Sequence, residues 1–391
     1  NSKSEMINSA YFAFKAILKR RSSTFFISLI WAFGLFSIAS IQRLDKGLTE
    51  GIVNQVGSTD ILIAAKGSPT QSIFANIFHI DQPTGNIPNK EAERIIKEYN
   101  LKDVRRIAYG DNYLGFRILG CDSSTWNNLN YKNFEGRYPL SVNEVLIGRK
   151  VCDLTKLKIG DEFYGTHGLV GHSHERMKYK VCGIVESKNL IWNSLIFSNL
   201  EAVWKAHEGS DSNYTAILAR LNNPIEKLLI PRKIQEKNSV MAISPALELN
   251  NILSWINQGV KMFNSISFLF IITAIFSMFF FLQSHIKERL GDYALLVSLG
   301  ASWLKIAKVV LWQNIFIGLI SIILTYVGLF ILWLSLDQIN IFGDIIEKNY
   351  FWQLYQDTYW ILGVLILALL TSIGPWVWLQ RIPLHRALAD S

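Results

Sequence analysis

The side chains in this chain with the clearest capacity for chemistry are three histidines and three cysteines. His167, His172 and His174 form an H-x4-H-x-H pattern within THGLVGHSHERM, and Cys182 follows eight residues after the last of them. Imidazoles so spaced can hold zinc or copper, because alternate positions on a strand, or a flexible loop, bring two ring nitrogens to one ion. Gly-rich polar stretches also carry solvated histidines, so a zinc site and a solvent-facing loop both stay open. Cys182 lies in the apolar run YKVCGIVE, which suits burial better than ligation. Cys121, Cys152 and Cys182 are an odd set with apolar neighbours; they permit at most one internal disulfide and fit equally well as three buried thiols.

Other chemistry is missing from the sequence. There is no G-x-x-x-x-G-K-[ST], so the chain binds no ATP through a P-loop of its own, and there is no nucleophile elbow, H-E-x-x-H helix or paired-carboxylate pattern. These absences argue against an enzyme. Two further stretches read as contact surfaces. AAKGSPTQSIFANIFHIDQPTGNIP, residues 64–88, is dense in Gly, Pro and Thr about an apolar centre. Its Lys66, Gly67, Ser68, Pro69, His79, Asp81 and Pro83 would form an ordered loop that meets a substrate or partner, the alternative being a long structural connection. SHIKERLGDYALLVSLGASWLKIAKVV, starting at Ser284, lies between two long apolar runs and carries His285, Lys287, Arg289, Lys305 and Lys308 near its ends. Ile286, Leu290, Tyr293, Leu296, Val297 and Leu299 follow helical spacing, Gly300 offers a stop, and Ser302 opens the next helix. A half-polar helix between two spans is a surface built to meet another protein; the alternative is an ordinary amphipathic turn.

The elements that must position these residues are set by hydropathy. The 391 residues are 50% hydrophobic and 13% aromatic, too rich for a soluble protein of ordinary kind and too polar to be wholly embedded. Four runs are long enough to cross about 30 Å of hydrocarbon: residues 23–42, 262–283, 306–336 and 358–380. The first is a full-length span without a small-residue cleavage site, hence a retained helix and not a signal peptide. Residues 1–22 place Ile7, Ala10, Tyr11, Phe14 and Leu18 on one face, with Lys15, Lys19, Arg20 and Arg21 for lipid head groups, an interfacial elbow helix. Cations cluster before span one, between spans two and three (284–305) and after span four (381–391). The positive-inside rule puts all three, and both termini, in the cytoplasm, and residues 43–261 and 337–357 outside. The net charge of +8 is thus partly topological, and no basic-aromatic motif for nucleic acid accompanies it.

Residues 43–261 begin and end with helical repeats, Leu44, Leu48, Ile52 and Val56, then Leu249, Leu253, Ile256, Val260 and Phe263, which would continue spans one and two as a stalk. Between them the pattern is mixed. Strands are expected at 59–67, 105–122, 143–151, 179–186, 193–200 and 213–221, and helices at 91–100, about 150–157 and 199–206. In span three, Gln313 and Asn314 are expected to bond to neighbouring helices. No span carries an acidic residue at its centre, which argues against an ion-coupled transporter.

ERLGDYALLVSLGAS resembles the cytosolic loop of FtsX/MacB-type ABC transporter permeases, which reads approximately E-I-G-x-L-R-A-L-G-A-S. Asp292 and Tyr293 stand here where Ile-Gly is common, and Val297 where Arg is common. GFRILGCD, FEGRYPLSVNEVLIGRKVCDLTKLKIGDEF and YKVCGIVE, within residues 114–186, resemble in order the MacB-type periplasmic core domain, and WLQRIPLHRALADS resembles the family's closing R-x-x-P-x-x-x-L-R. The resemblance implies four membrane helices plus an extracytoplasmic α+β domain on a helical stalk, in a bacterial inner membrane, with the domain in the periplasm. It implies a non-catalytic subunit of a type VII transporter, partnered by a P-loop ATPase dimer that carries ATP and Mg, and by a second permease copy, identical or related. Glu288, Arg289, Leu290, Asp292, Leu296, Leu299 and Gly300 would form the coupling helix seated on that ATPase. The expected work is mechanotransmission for export or extraction of a lipoprotein, peptide or small compound, with a periplasmic adaptor, lipoprotein or hydrolase as a further partner. Two other readings stay open: an FtsX-like regulator of a cell-wall hydrolase, and a metal-handling sensor using His167, His172 and His174.

Overall fold

The computed structural model describes residues 2–56, 59–127, 131–166, 173–206, 212–223, 225–338 and 354–380. Its helices are α1 (Ser2–Lys19), α2 (Arg21–Val56), α3 (Pro69–Asn76), α4 (Asn89–Glu98), α5 (Ser123–Asn127), α6 (Arg149–Thr155), α7 (Leu200–Ala206), α8 (Glu226–Lys237), α9 (Pro245–Glu288), α10 (Leu290–Ser298), α11 (Trp303–Gln338) and α12 (Leu354–Gln380). Its strands are β1 (Ile61–Ala65), β2 (Lys102–Tyr113), β3 (Phe116–Cys121), β4 (Tyr131–Gly136), β5 (Glu144–Gly148), β6 (Glu162–Thr166), β7 (Ser173–Ser187), β8 (Ile196–Asn199), β9 (Ala216–Arg220) and β10 (Val240–Ile243). The described chain divides into a helical unit (2–46, 257–338 and 354–380) and an α+β unit (47–256).

In the helical unit, α2, α9 and α11 are long and apolar enough to cross a membrane, and α12 carries a shorter apolar stretch, Ile361–Gly374. Ile17, Ile27, Trp31, Met278, Leu282, Ile286, Tyr293, Ile306, Val310, Ile317 and Val364 make one buried cluster. Two polar side chains in the helical unit bond between helices. The Trp31 indole N–H donates to the Ala274 carbonyl (3.0 Å), and Asn314 Nδ2 donates to Ser372 Oγ (2.6 Å) and to the Ala368 carbonyl (3.2 Å). Gln313 is buried too, but its Nε2 finds no partner among the described residues.

The α+β unit is built on a sheet in the order β10-β1-β9-β2-β3-β8-β5-β7-β4, antiparallel except for β3/β8 and β5/β7. β6 pairs both β2 and β7, so β2, β3, β8, β5, β7 and β6 follow one another round to their starting point. The closing pair is Asn112↔Thr166, where Thr166 Oγ1 donates to the Asn112 carbonyl at 3.0 Å. Alternation along each strand splits the apolar residues between faces. Ile118, Val145, Ile147, Tyr179, Val181 and Ile196 enter one core with Phe163, while Leu119, Leu146, Val185 and Phe197 enter another. The second core is covered by Ile52 and Val56 of α2 and Leu249 and Ile252 of α9, so the repeats expected to form a stalk pack on the sheet. On the far side of β1, β9 and β10, Ile61, Ile63, Ile217 and Ala219 meet Ala92 and Ile95 of α4 and Ile230 and Ile234 of α8.

Several expectations are corrected. The strand expected over 143–151 ends at Gly148, and α6 starts at Arg149, because a Cβ at residue 148 would lie 2.3 Å from the Asn193 carbonyl oxygen and only glycine admits that approach. Residues 64–88 are not loop throughout: Ser68 Oγ accepts from the Gln71 N–H (3.3 Å) and Pro69 opens α3. β4, β6, β10 and α8 stand where no element was expected.

Candidate functional site

The segment after α9 folds into a short, two-faced helix. Arg289 separates α9 from α10; its N–H donates to the Ile286 carbonyl (3.2 Å) and its carbonyl accepts from Tyr293 (3.0 Å). At the other end Gly300 has φ +93°, its N–H bonds the Val297 carbonyl (2.9 Å), and the Ala301 N–H bonds the Leu296 carbonyl (2.9 Å). This is the paired closure of a Schellman cap, which requires a left-handed residue at that point. One face of α10 is buried: Tyr293 (6% exposed) and Ala294 join the helical core, with Leu290 and Val297 packed beside them. The opposite face carries Asp292, Leu295, Leu296 and Leu299, at spacings of three, one and three, and all are exposed, the leucines at 57%, 48% and 77%. Lys287, Lys305 and Lys308 are exposed on either side of it.

The seven residues read as a coupling set are thus divided by the structure. Asp292, Leu296, Leu299 and Gly300 form or close the outward face. Leu290 turns inward, Arg289 is the joint, and Glu288 ends α9 with its carboxylate against the Arg20 guanidinium. Sequence reasoning missed Leu295, which shares the outward face, because both faces of this helix are apolar and hydropathy alone does not tell a packed leucine from a displayed one.

The second candidate stretch is also divided. Lys66, Gly67, Ser68, Pro69 and Asp81 are exposed and Pro83 half-buried. A Cβ at Gly67 would strike Thr84 at 2.5 Å, and Thr84 Oγ1 donates to the Ala65 carbonyl (2.8 Å), so the two ends of the stretch are clamped together. His79 is not on that surface. It is buried, with φ +57°, and its Nδ1 meets the Tyr109 hydroxyl. That hydroxyl donates to the Ala75 carbonyl, which leaves the imidazole as the donor between them. Burial, with Arg117 and Arg105 adding to it, holds the His79 pKa down at about 3, so the ring is neutral at physiological pH.

His167 and His172 lie outside the described residues, and His174 is on β7. Among the described residues no group of three or more His, Cys, Asp or Glu is placed to hold a metal. Cys121, Cys152 and Cys182 are all free thiols. Cys182 Sγ lies 3.2 Å from the Val145 carbonyl and 3.3 Å from that of Arg137, and burial pushes its pKa up to about 11.

Residues 264–382, which include α10 and its outward face, match the model of the FtsX-like permease C-terminal family. The chain carries an FtsX-like permease domain. This is the family read from the coupling segment. FtsX-like permeases are in general non-catalytic and work with an ATPase and as permease dimers. Two solved structures are similar to the chain. The periplasmic region of MacB from Actinobacillus actinomycetemcomitans is 12% identical, covering 51% of this chain and 95% of its own, with a TM-score of 0.36. The extracellular domain of the noncanonic ABC-type transporter YknZ from Gram-positive bacteria is 13% identical, covering 47% and 98%, with a TM-score of 0.32. No curated protein matches the chain.

Proposed function

We propose that this permease couples ATP hydrolysis by a separate P-loop ATPase dimer to conformational change in its α+β unit. That movement would serve the export or extraction of a lipoprotein, peptide or small compound. The observation that carries the reading is the outward stripe of α10. Three leucines held out by a helix whose other face is packed are a preformed apolar plug, and a complementary groove on a cytosolic protein would cover them. The family match over the same residues supports an ATPase as that partner. In this reading α1, α10 and both termini are cytoplasmic, the membrane is a bacterial inner membrane, and the α+β unit is periplasmic. The described chain has too few membrane helices to enclose a wide path alone, so a second permease copy completes the assembly. α9 runs unbroken for 44 residues, about 66 Å at 1.5 Å per residue, from Pro245 to Glu288 beside α10. A displacement of α10 would therefore be passed along one helix to the residues that cover the sheet.

The test is affinity capture of the solubilised chain from its native membrane with mass spectrometry of what is retained, beside a Leu295→Asp/Leu299→Asp variant. An ATPase retained by the native chain and lost from the variant supports the reading. Capture of no ATPase in several detergents, or equal capture by both, overturns it.

A further inference from the structure

Two joints of one residue each interrupt the helices around the proposed coupling face. Arg20 separates α1 from α2, and Arg289 separates α9 from α10. Neither is slack. The Arg20 N–H donates to the Ile17 carbonyl and its own carbonyl accepts from Thr24, both at 3.0 Å, which matches the bonding at Arg289. The Arg20 guanidinium then meets the carboxylate of Glu288, the residue just before the second joint. Around this ion pair Ile17 of α1, Ile286 of α9, Tyr293 of α10 and Ile306 of α11 belong to one buried cluster.

The first helix has two faces of different character. Ser9, Ala13, Ala16 and Ile17 are buried, and the small side chains of the first three allow close approach of a neighbouring helix. Tyr11, Phe12, Phe14 and Leu18 are exposed, with Lys15 over the Tyr11 ring at 5.0 Å, the composition of a face that rests in a lipid interface. So α1 packs on one side against α11 and is turned on the other toward lipid.

We infer that Arg20 and Glu288 are a positioning pair that fastens the joint between α1 and α2 to the end of α9 beside the α10 joint, so that the elbow helix and span one move with the coupling helix as one body. The inference rests on the coupling role proposed above for α10. The ion pair is partly exposed and adds little to static stability. Its effect is on which elements travel together. The charge around it is unbalanced: Lys19, Arg21, Lys287 and Arg289 adjoin the pair in sequence, and Glu288 and Asp292 are the acids there. Replacing Glu288 by a cation sets Arg20 against like charge, so it is the more damaging single change.

The test uses the full chain reconstituted with its ATPase in nanodiscs. ATP turnover, KM for ATP, ATPase retention and the Tm of the chain are measured for Arg20→Glu, Glu288→Arg and the double exchange. Each single variant should lower kcat about threefold or more, the factor by which a partly exposed pair can bias a two-state equilibrium, Glu288→Arg the more strongly. KM, retention and Tm should hold, and the double exchange should return kcat to within about twofold of native, since the pair is re-formed. A purely structural role would move Tm and retention and leave kcat per retained ATPase unchanged, which overturns the inference. Single variants with native turnover, or a double exchange as poor as the product of the singles, overturn it too while leaving the coupling reading standing. A native chain that retains no ATPase overturns both.

Discussion

Leu299 is the outermost leucine of the α10 stripe, with 77% of its surface exposed. Full burial of a leucine side chain stabilises by about 1.5–3 kcal/mol, so covering the exposed part of Leu299 in a partner groove should contribute roughly 1–2 kcal/mol. Leu299→Ala removes most of that area. The ATPase should therefore bind about five- to thirtyfold more weakly, since 1.4 kcal/mol is tenfold. The same change should leave the chain's own stability nearly untouched, because a solvent-facing leucine makes few contacts to lose. Tyr293, six residues before it on the inner face, is the control. Truncation of a buried aromatic to alanine costs about 3–5 kcal/mol of folding free energy, so Tyr293→Ala should lower Tm. The assay is titration of labelled ATPase onto the chain in nanodiscs, read by anisotropy, with thermal unfolding of each variant alone. Binding within twofold of native for Leu299→Ala, with the same result for Leu295→Ala, would refute the docking argument. So would a fall in Tm for Leu299→Ala comparable with that of Tyr293→Ala.

Three further outcomes are expected. Tyr293 Oη is buried without a hydrogen-bond partner among the described residues, so Tyr293→Phe, which deletes only that oxygen, should hold or raise Tm and leave ATPase binding native, in contrast to Tyr293→Ala. Gly148→Ala would place a methyl group 2.3 Å from the Asn193 carbonyl oxygen and 2.5 Å from its carbon; the backbone must shift, at a cost of about 1–3 kcal/mol, visible as a lower Tm of the full chain and faster hydrogen exchange in β5 and β8. His79 is held near 3 in the fold against an ordinary value of 6.5. The unfolded chain therefore takes up a proton between pH 6.5 and about 3 that the folded chain does not, and stability, complete above 6.5, falls with pH across that window by at most about 1.4 kcal/mol per unit. Urea unfolding of the full chain from pH 7 to 4.5 should show a shallower pH slope for His79→Gln than for native; equal slopes would show that His79 does not titrate as its surroundings require.

What could be read from the sequence depended on how many structures a pattern allows. Gly300 was readable as a stop because a left-handed residue followed by a new helix leaves glycine as the natural choice, and its cap is of that kind. The helices running past spans one and two were readable because Ile52, Val56 and Leu249 keep a 3.6-residue period; the face of the sheet they cover was not, since periodicity names a buried stripe without naming its partner. The helix at Pro69–Asn76 was hidden by composition: Gly, Pro and Thr suggested a loop, while Ser68 followed by Pro69 was already a helix-start signal. α8 was hidden by Pro231 within it, which reads as a break. The density of Gly, Pro and Thr around His79 suggests a surface loop, yet α3 and the turn after it carry the ring to Tyr109, thirty residues on, a contact that no local pattern contains.

The proposed site shows why the inward face of α10 matters as much as the outward one. A helix of nine residues is too short to persist on its own in water. Its form is imposed by the Arg289 joint at one end, the Gly300 cap at the other and the burial of Tyr293 and Ala294 between them. The three exposed leucines are therefore displayed at a fixed pitch before any partner arrives, and the ordering cost that a flexible loop would meet on binding has already been met by folding. The same fixation makes the segment a lever. A rigid α10 cannot absorb a push by bending, so on the proposed coupling role a force applied to Leu295 and Leu299 would pass through Arg289 to α9 and, through the Arg20–Glu288 contact, to the joint between α1 and α2.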